Sequence, residues 1–387
     1  MVKIIQNILL ILVFLTPLFG VVEGFGAIDF AVPFTLVFIK SLKLFIIFVV
    51  VFLTVCRLLF TDFFHLKSVL LLFLLFIFTL MVFLLSSNIY IALAGLTWSL
   101  PFFLIFLLVG VIDVNFLYKL TKVLVFVLIS NTLLQLAQMF YMPAYRGFNF
   151  FGLSGRLAGF FSSASSAGIL SSFVFFSIKY FSNFNLRWKN IFLAVSVLSV
   201  FLSMSSTGVG LLVIIILYPF YLKSKNKIIG ILFFVPLIFT AISNLDVLTG
   251  RDSGSSESSF TTRLSILFQQ IENSEIISTN FGKATNMGVS IERNLNIYVD
   301  GVFITDMMYT SLLVNYGWLI TLILLGLLLI TLIHIKRLNS TSLNLFIVMC
   351  LLGSSALIIT EIFPINMLIA IYSAYYIFNV RSKYYQQ

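Results

Sequence analysis

Charged side chains are scarce in this sequence. Asp, Glu, Lys and Arg make up 9% of its 387 residues, against about 25% in soluble domains. With 61% hydrophobic content, that scarcity excludes a soluble globular protein. The chain reads as an all-α polytopic integral membrane protein, with apolar runs long enough for helical spans. Cysteine is nearly absent too. Cys56 and Cys350 both sit inside apolar runs, so there is neither a disulfide framework nor a cysteine metal site. The two histidines, His65 and His334, each stand beside cations, as inner-loop charge clusters do. No GxxxxGK(S/T), HExxH or GxSxG run occurs. No Asp-x-Asp pair is present to hold a divalent metal on a nucleotide sugar. No metal and no cofactor are therefore expected. Outer-face chemistry must rest on Arg, Asp, Glu, Ser, Thr, Asn and Tyr.

What charge there is has a sign and a pattern. The net charge of +10 fits cytoplasmic loops enriched in Lys and Arg, and no nucleic-acid partner is expected. Spans need about 20 apolar residues each, and the sequence offers about 12 of them. The first covers residues 4–22. It resembles a signal peptide, but later segments alternate correctly only if it is retained. The second covers 36–55 and ends at Arg57. Lys40 and Lys43 lie near its outer end, either snorkelling to headgroups or marking a later helix start. Spans three and four cover 68–85 and 89–110. The fifth, 123–142, follows the inner cations Lys119 and Lys122. The sixth ends at Lys179, and the seventh and eighth meet at 203–207. The ninth covers 228–243, the tenth ends at His334, Lys336 and Arg337, and the last two turn at 361–364. Residues 1–244 thus carry helices 1–9 with an outer loop at 143–161. Residues 245–302 form one large outer loop between helices 9 and 10, and 303–387 carry helices 10–12. Both termini fall in the cytoplasm.

The large loop holds seven of the 13 acidic residues: Asp246, Asp252, Glu257, Glu272, Glu275, Glu292 and Asp300. Apart from Lys40 and Lys43, the outer cations are Arg146, Arg156, Arg251, Arg263, Lys283 and Arg293, all in two loops. Orientation alone would leave those loops poor in cations, so the arginines need a further reason, either headgroup contact or a substrate. Arginine suits a diphosphate because its planar fork donates two parallel hydrogen bonds. A carboxylate nearby suits proton removal from an attacking hydroxyl. Arg156 stands among Gly152, Gly155 and Gly159, ahead of a serine-rich helix start at 162–166, where free amides favour an anion. Gly155 and Gly159 have the alternative reading of a helix-packing pair. Leu264, Leu267, Phe268 and Ile271 follow the N-cap candidate Ser259 at helical spacing, which predicts a short amphipathic helix on the membrane surface.

Three segments carry a family resemblance. GRLAGFFSSASSAGILSSF (Gly155 to Phe173) resembles the R-x-x-G-x-F lead-in to a transmembrane helix of O-antigen polymerases and ligases. LSMSSTGVGLLVIIIL (Leu202 to Leu217) resembles the family's serine-rich turn. TDMMYTSLLVNYGWL (Thr305 to Leu319) resembles the end of its large periplasmic loop. The likeness in order and spacing spans roughly residues 131–330. Ser162-Ser163-Ala164 stands where family members often have Asn-Pro after the Phe, and Thr207 where the turn often has a second Arg. No histidine occurs in the large loop, where the family's ligases use one.

The resemblance implies the polymerase branch: a metal-independent glycosyltransferase of the bacterial inner (cytoplasmic) membrane. It would move a growing glycan from undecaprenyl diphosphate to an acceptor repeat unit at the outer face. Implied partners are the undecaprenyl diphosphate-linked oligosaccharide and membrane lipid, with a chain-length regulator protein left open. Arg156 and Arg263 are the candidate diphosphate contacts, with Arg146, Arg251 and Arg293 behind them. Asp300, Asp306 and Glu292 are the candidate catalytic carboxylates, Asp306 because it lies near the place of the ligase histidine. Tyr298, Tyr309 and Tyr316 are read as interfacial anchors or as sugar-stacking rings. A polysaccharide flippase or other transporter is the alternative, and an O-antigen ligase a third. Few charges near span centres and no half-to-half repeat speak against transport.

Overall fold

The computed structural model describes residues 1–26, 33–60, 100–101, 104–105, 107–140, 157–161, 163–223, 340–356 and 362–384, with single positions at Phe268, Met308, Leu322 and Gly326. Among the described residues every regular element is helical. The chain divides into two compact units, Met1–Val50 with Val111–Ser256, and Val51–Gly110 with Glu257–Gln387.

In the first unit, α1 (Val2–Phe14) and α2 (Thr16–Gly26) together make up the expected first span, parted by the single residue Leu15. Pro17 has no N–H to give the preceding turn, and the helix is interrupted at Leu15. The next helix, α3 (Pro33–Phe60), passes from the first unit into the second. It begins before residue 36, so Lys40 and Lys43 both lie within it and the later start is overturned. Phe45, Phe48 and Phe52 are exposed at i, i+3 and i+7, one apolar stripe suited to lipid.

The helix α4 (Val114–Phe140) starts nine residues before the expected 123. Asp113 caps it, its carboxylate accepting from Phe116 N–H at 2.7 Å. Lys119 and Lys122 are therefore helical residues, not loop residues. From α1, Gln6 Nε2 donates to Val111 O at 2.7 Å, which ties the start of α1 to the start of α4.

An antiparallel pair follows, α5 (Ala164–Phe181) and α6 (Leu186–Ser203), and then α7 (Ser206–Lys223). The Ser163 hydroxyl caps α5 by accepting from Ser166 N–H at 3.1 Å, and Asn185 caps α6. The serine-rich helix start and the turn at 203–207 are thus where the sequence places them. Packed against α4, α6 and α7, α5 is the centre of this unit. Pro219 inside α7 cannot donate to the Ile215 carbonyl four residues back. Lys179 Nζ donates to that carbonyl instead, at 2.7 Å, and Lys189 Nζ donates to Lys179 O at 3.0 Å.

In the second unit Arg57, near the end of α3, is only 4% exposed. Its guanidinium donates to Val109 O at 3.3 Å and Gly110 O at 3.1 Å, where Gly110 turns the chain at φ 75°. Arg57 is thus a buried cap on those carbonyls as well as a cation ending a span. Arg57→Leu is expected to destabilise the protein by about 1.5–3 kcal/mol for each charge-assisted bond lost. An unchanged melting temperature in detergent would dismiss the capping role. The helices α8 (Thr341–Ala356) and α9 (Ile365–Tyr384) complete the described part. Phe346 meets Tyr372 and Tyr376 at centroid distances of 5.7 and 5.6 Å.

By length and composition, five described helices can cross a membrane: Val2–Val21, Ser41–Phe60, Val114–Met139, Ala164–Phe181 and Leu186–Ser203. They stand where spans one, two, five, six and seven are expected. Shorter apolar helices at Ser206–Pro219, Thr341–Ser354 and Ile365–Ile377 stand at the eighth, eleventh and twelfth. Spans three and nine, and most of the fourth, of the tenth and of the large loop, lie outside the described residues. Phe268, the described position of the proposed amphipathic helix, is helical and exposed.

Candidate functional site

Asn131, Gln135 and Gln138 recur along α4 at i, i+4 and i+7, the spacing that places three side chains on one face. All three are at most 3% exposed. A buried carboxamide in an apolar span must find partners, because no water is there to replace them. These three find theirs on the short non-helical segment of residues 157–161 and on α6.

The Gln138 carboxamide pairs with Gly159 as one peptide group pairs with another. Its Nε2 donates to Gly159 O at 2.8 Å, and its Oε1 accepts from Gly159 N–H at 3.0 Å. Asn131 Oδ1 accepts from Phe160 N–H at 3.2 Å. Gln135 Nε2 donates to Leu157 O at 2.9 Å. Leu157 N–H donates to Leu202 O at 3.3 Å, so Leu157 is held on both of its main-chain groups. Gly159 adopts φ 65°, and a Cβ there would be driven into the Asn131 carboxamide, which is why glycine occupies the position. Gly20 of α2 faces Phe160 so closely that a Cβ would strike the Phe160 carbonyl. Gly159 lies in a turn, not a helix, and the reading of Gly155 and Gly159 as a helix-packing pair is overturned.

Serines extend the network into the bundle. The Ser199 hydroxyl donates to Gln135 Oε1 at 2.8 Å and lies 2.8 Å from the Ser171 hydroxyl. Asn131 Nδ2 reaches Ser199 Oγ at 3.4 Å. At the turn after α6, Met204 takes the left-handed conformation at φ 46°. Ser205 N–H donates to Ser203 Oγ at 3.3 Å, and Gly208 N–H to Ser205 Oγ at 3.1 Å. Ser172 Oγ donates to Gly208 O at 2.8 Å. A Cβ on Gly208 would lie 2.8 Å from Gly168 Cα, so α5 and α7 meet backbone to backbone.

The lead-in to α5 and the serine-rich turn therefore come together at one end of the unit, with the end of α4. The starts of α4 and α6, with Arg187 and Lys189, lie at the other. Asn, Gln and Ser do not titrate near neutral pH, so the network orients a segment and transfers no proton. Its carboxamides escaped the sequence reading, although three amides at helical spacing inside an apolar span were a visible signal.

Arg156 is bonded to Leu157 and lies outside the described residues. So do Arg146, Arg251, Arg263, Arg293, Glu292, Asp300 and Asp306, along with Tyr298, Tyr309 and Tyr316. Among the described residues no His, Cys, Asp and Glu group is arranged to hold a metal. The architecture defines a class, a helical multi-pass membrane protein. Comparison with family models, with characterised proteins and with solved structures finds no match in any of the three.

Proposed function

We propose that the chain polymerises lipid-linked oligosaccharide repeat units at the outer face of a bacterial cytoplasmic membrane, as O-antigen polymerases do. The acceptor sugar hydroxyl attacks the anomeric carbon of the growing glycan. The bond from that carbon to undecaprenyl diphosphate breaks, and the diphosphate lipid leaves. The hydroxyl proton passes to a carboxylate, for which Asp300, Asp306 and Glu292 are the candidates. Arg156 and Arg263 bind the diphosphate, and Arg146, Arg251 and Arg293 add positive charge around it.

One observation carries this reading. Two segments that resemble the family, about 45 residues apart by direct count of the sequence, are joined by the Leu157-to-Leu202 hydrogen bond. The segment that follows Arg156 is pinned at that junction by three buried carboxamides. Orientation is supported by Arg187 and Lys189, which lie at the opposite end of the unit, as an inner face requires.

Deletion of the gene, followed by gel analysis of surface polysaccharide, tests the reading. The expected result is loss of the long-chain ladder, with single repeat units still delivered to the surface lipid. Repeat units stranded on the inner leaflet would replace this reading with that of a flippase. A complete polymer left unattached to its lipid would replace it with that of a ligase.

A further inference from the structure

We infer that Gln138 and Asn131 are positioning residues for the step assigned to Arg156. Their carboxamides fix the main chain at Gly159 and Phe160, in the segment that follows Arg156 directly in the sequence. This rests on the polymerase reading above.

Polar residues within spans commonly join one helix to another. Gln138 joins a helix to a non-helical segment, and both of its amide atoms are committed to a single glycine. Asn131 takes the next N–H along, that of Phe160. Gln135 and Leu202 take the two main-chain groups of Leu157. Five main-chain bonds, on Leu157, Gly159 and Phe160, are thus supplied by α4 and α6 to a segment with no helix or strand of its own. Packing alone would be met by leucine, which is cheaper to bury. The carboxamides fix register and direction as well, because each bond has one donor and one acceptor at a set place. Functional groups must be held within about 0.5 Å of their working geometry, and a 1 Å displacement can cost about 100-fold in rate. Neither carboxamide touches substrate in this account. Each acts through the segment that ends at Leu157.

The test uses the purified full-length protein in detergent, with Cys56 and Cys350 replaced by alanine and Arg156→Cys as the reporter. Its rate of reaction with a polar maleimide is measured with Gln138 intact and with Gln138→Leu. Release of the segment is expected to raise the rate about tenfold, the effect of losing one or two neutral hydrogen bonds. In parallel, Gln138→Leu with Arg156 intact is expected to lower polymer formation about 100-fold while the protein elutes as a single species. An unchanged labelling rate overturns the inference whatever the polymer does. Faster labelling with a normal polymer ladder overturns the positioning role. A normal ladder from Arg156→Ala sinks the polymerase reading, and the labelling result still shows whether the clamp holds position 156. Should Gln138→Leu fail to fold, Gln138→Glu keeps the acceptor for Gly159 N–H, loses the donor when ionised, and carries both readouts.

Discussion

Arg156→Ala is expected, on the polymerase proposal, to abolish long-chain polysaccharide and to leave single repeat units on their lipid. A guanidinium holding a leaving diphosphate makes two charge-assisted bonds, each contributing about 1.5–3 kcal/mol. At about 1.4 kcal/mol per tenfold in rate, losing both slows transfer by about 100- to 10,000-fold, enough to empty a gel ladder. Arg156→Lys is expected to recover little, because an ammonium is a point charge and cannot form two parallel bonds from one plane. The measurement is a complemented deletion strain, with membrane levels of each variant matched by immunoblot. A wild-type ladder from well-expressed Arg156→Ala would remove this residue from the site.

The second large effect falls on Gly159. Gly159→Ala is expected to yield little monodisperse protein in detergent. The left-handed conformation costs an alanine about 1–2 kcal/mol. Displacing Asn131 also breaks its bond to Phe160 N–H, and each buried polar group left unpaired costs about 1–3 kcal/mol more. Together these reach a large share of a typical stability of about 5–15 kcal/mol. The double variant Gly159→Ala with Asn131→Ala separates the causes. It removes the clash but keeps both the backbone cost and the unpaired Phe160 N–H, so only partial recovery is expected. Full recovery would show that φ at 159 is of no consequence, and an undamaged Gly159→Ala protein would end the account of this turn.

Much of the bundle was legible because lipid makes a simple demand. Twenty apolar residues, then a cation, locate a span, and Lys179, Arg187 and the turn at 203–207 fall where that logic puts them. The misses have local causes. Asp113 caps α4 and carries the helix outward past Lys119 and Lys122, beyond the apolar window that hydropathy detects. Pro17 interrupts the helix at Leu15 within the first span. The carboxamide face of α4 was visible as a pattern, yet its partner was not, since nothing in periodicity says that Gln138 will meet a glycine 21 residues away. Arg57 read as a cation ending a span because its acceptors, Val109 and Gly110, lie more than 50 residues on. The glycine and serine pattern after Arg156 was visible in the sequence, while the packing that fixes residues 157–161 required the three-dimensional arrangement.

The central helix α5 has a consequence for how the protein is made. It carries five serines and a lysine, and 83% of its candidate span is covered by the rest of the chain. A segment so rich in hydroxyls gains little from bare lipid, and its neighbours supply the surroundings that the bilayer would not. Insertion of such a segment is expected to be helped by α4 before it and α6 after it, whose faces cover its hydroxyls. Biogenesis of this protein is therefore a matter of several helices entering the bilayer as a group.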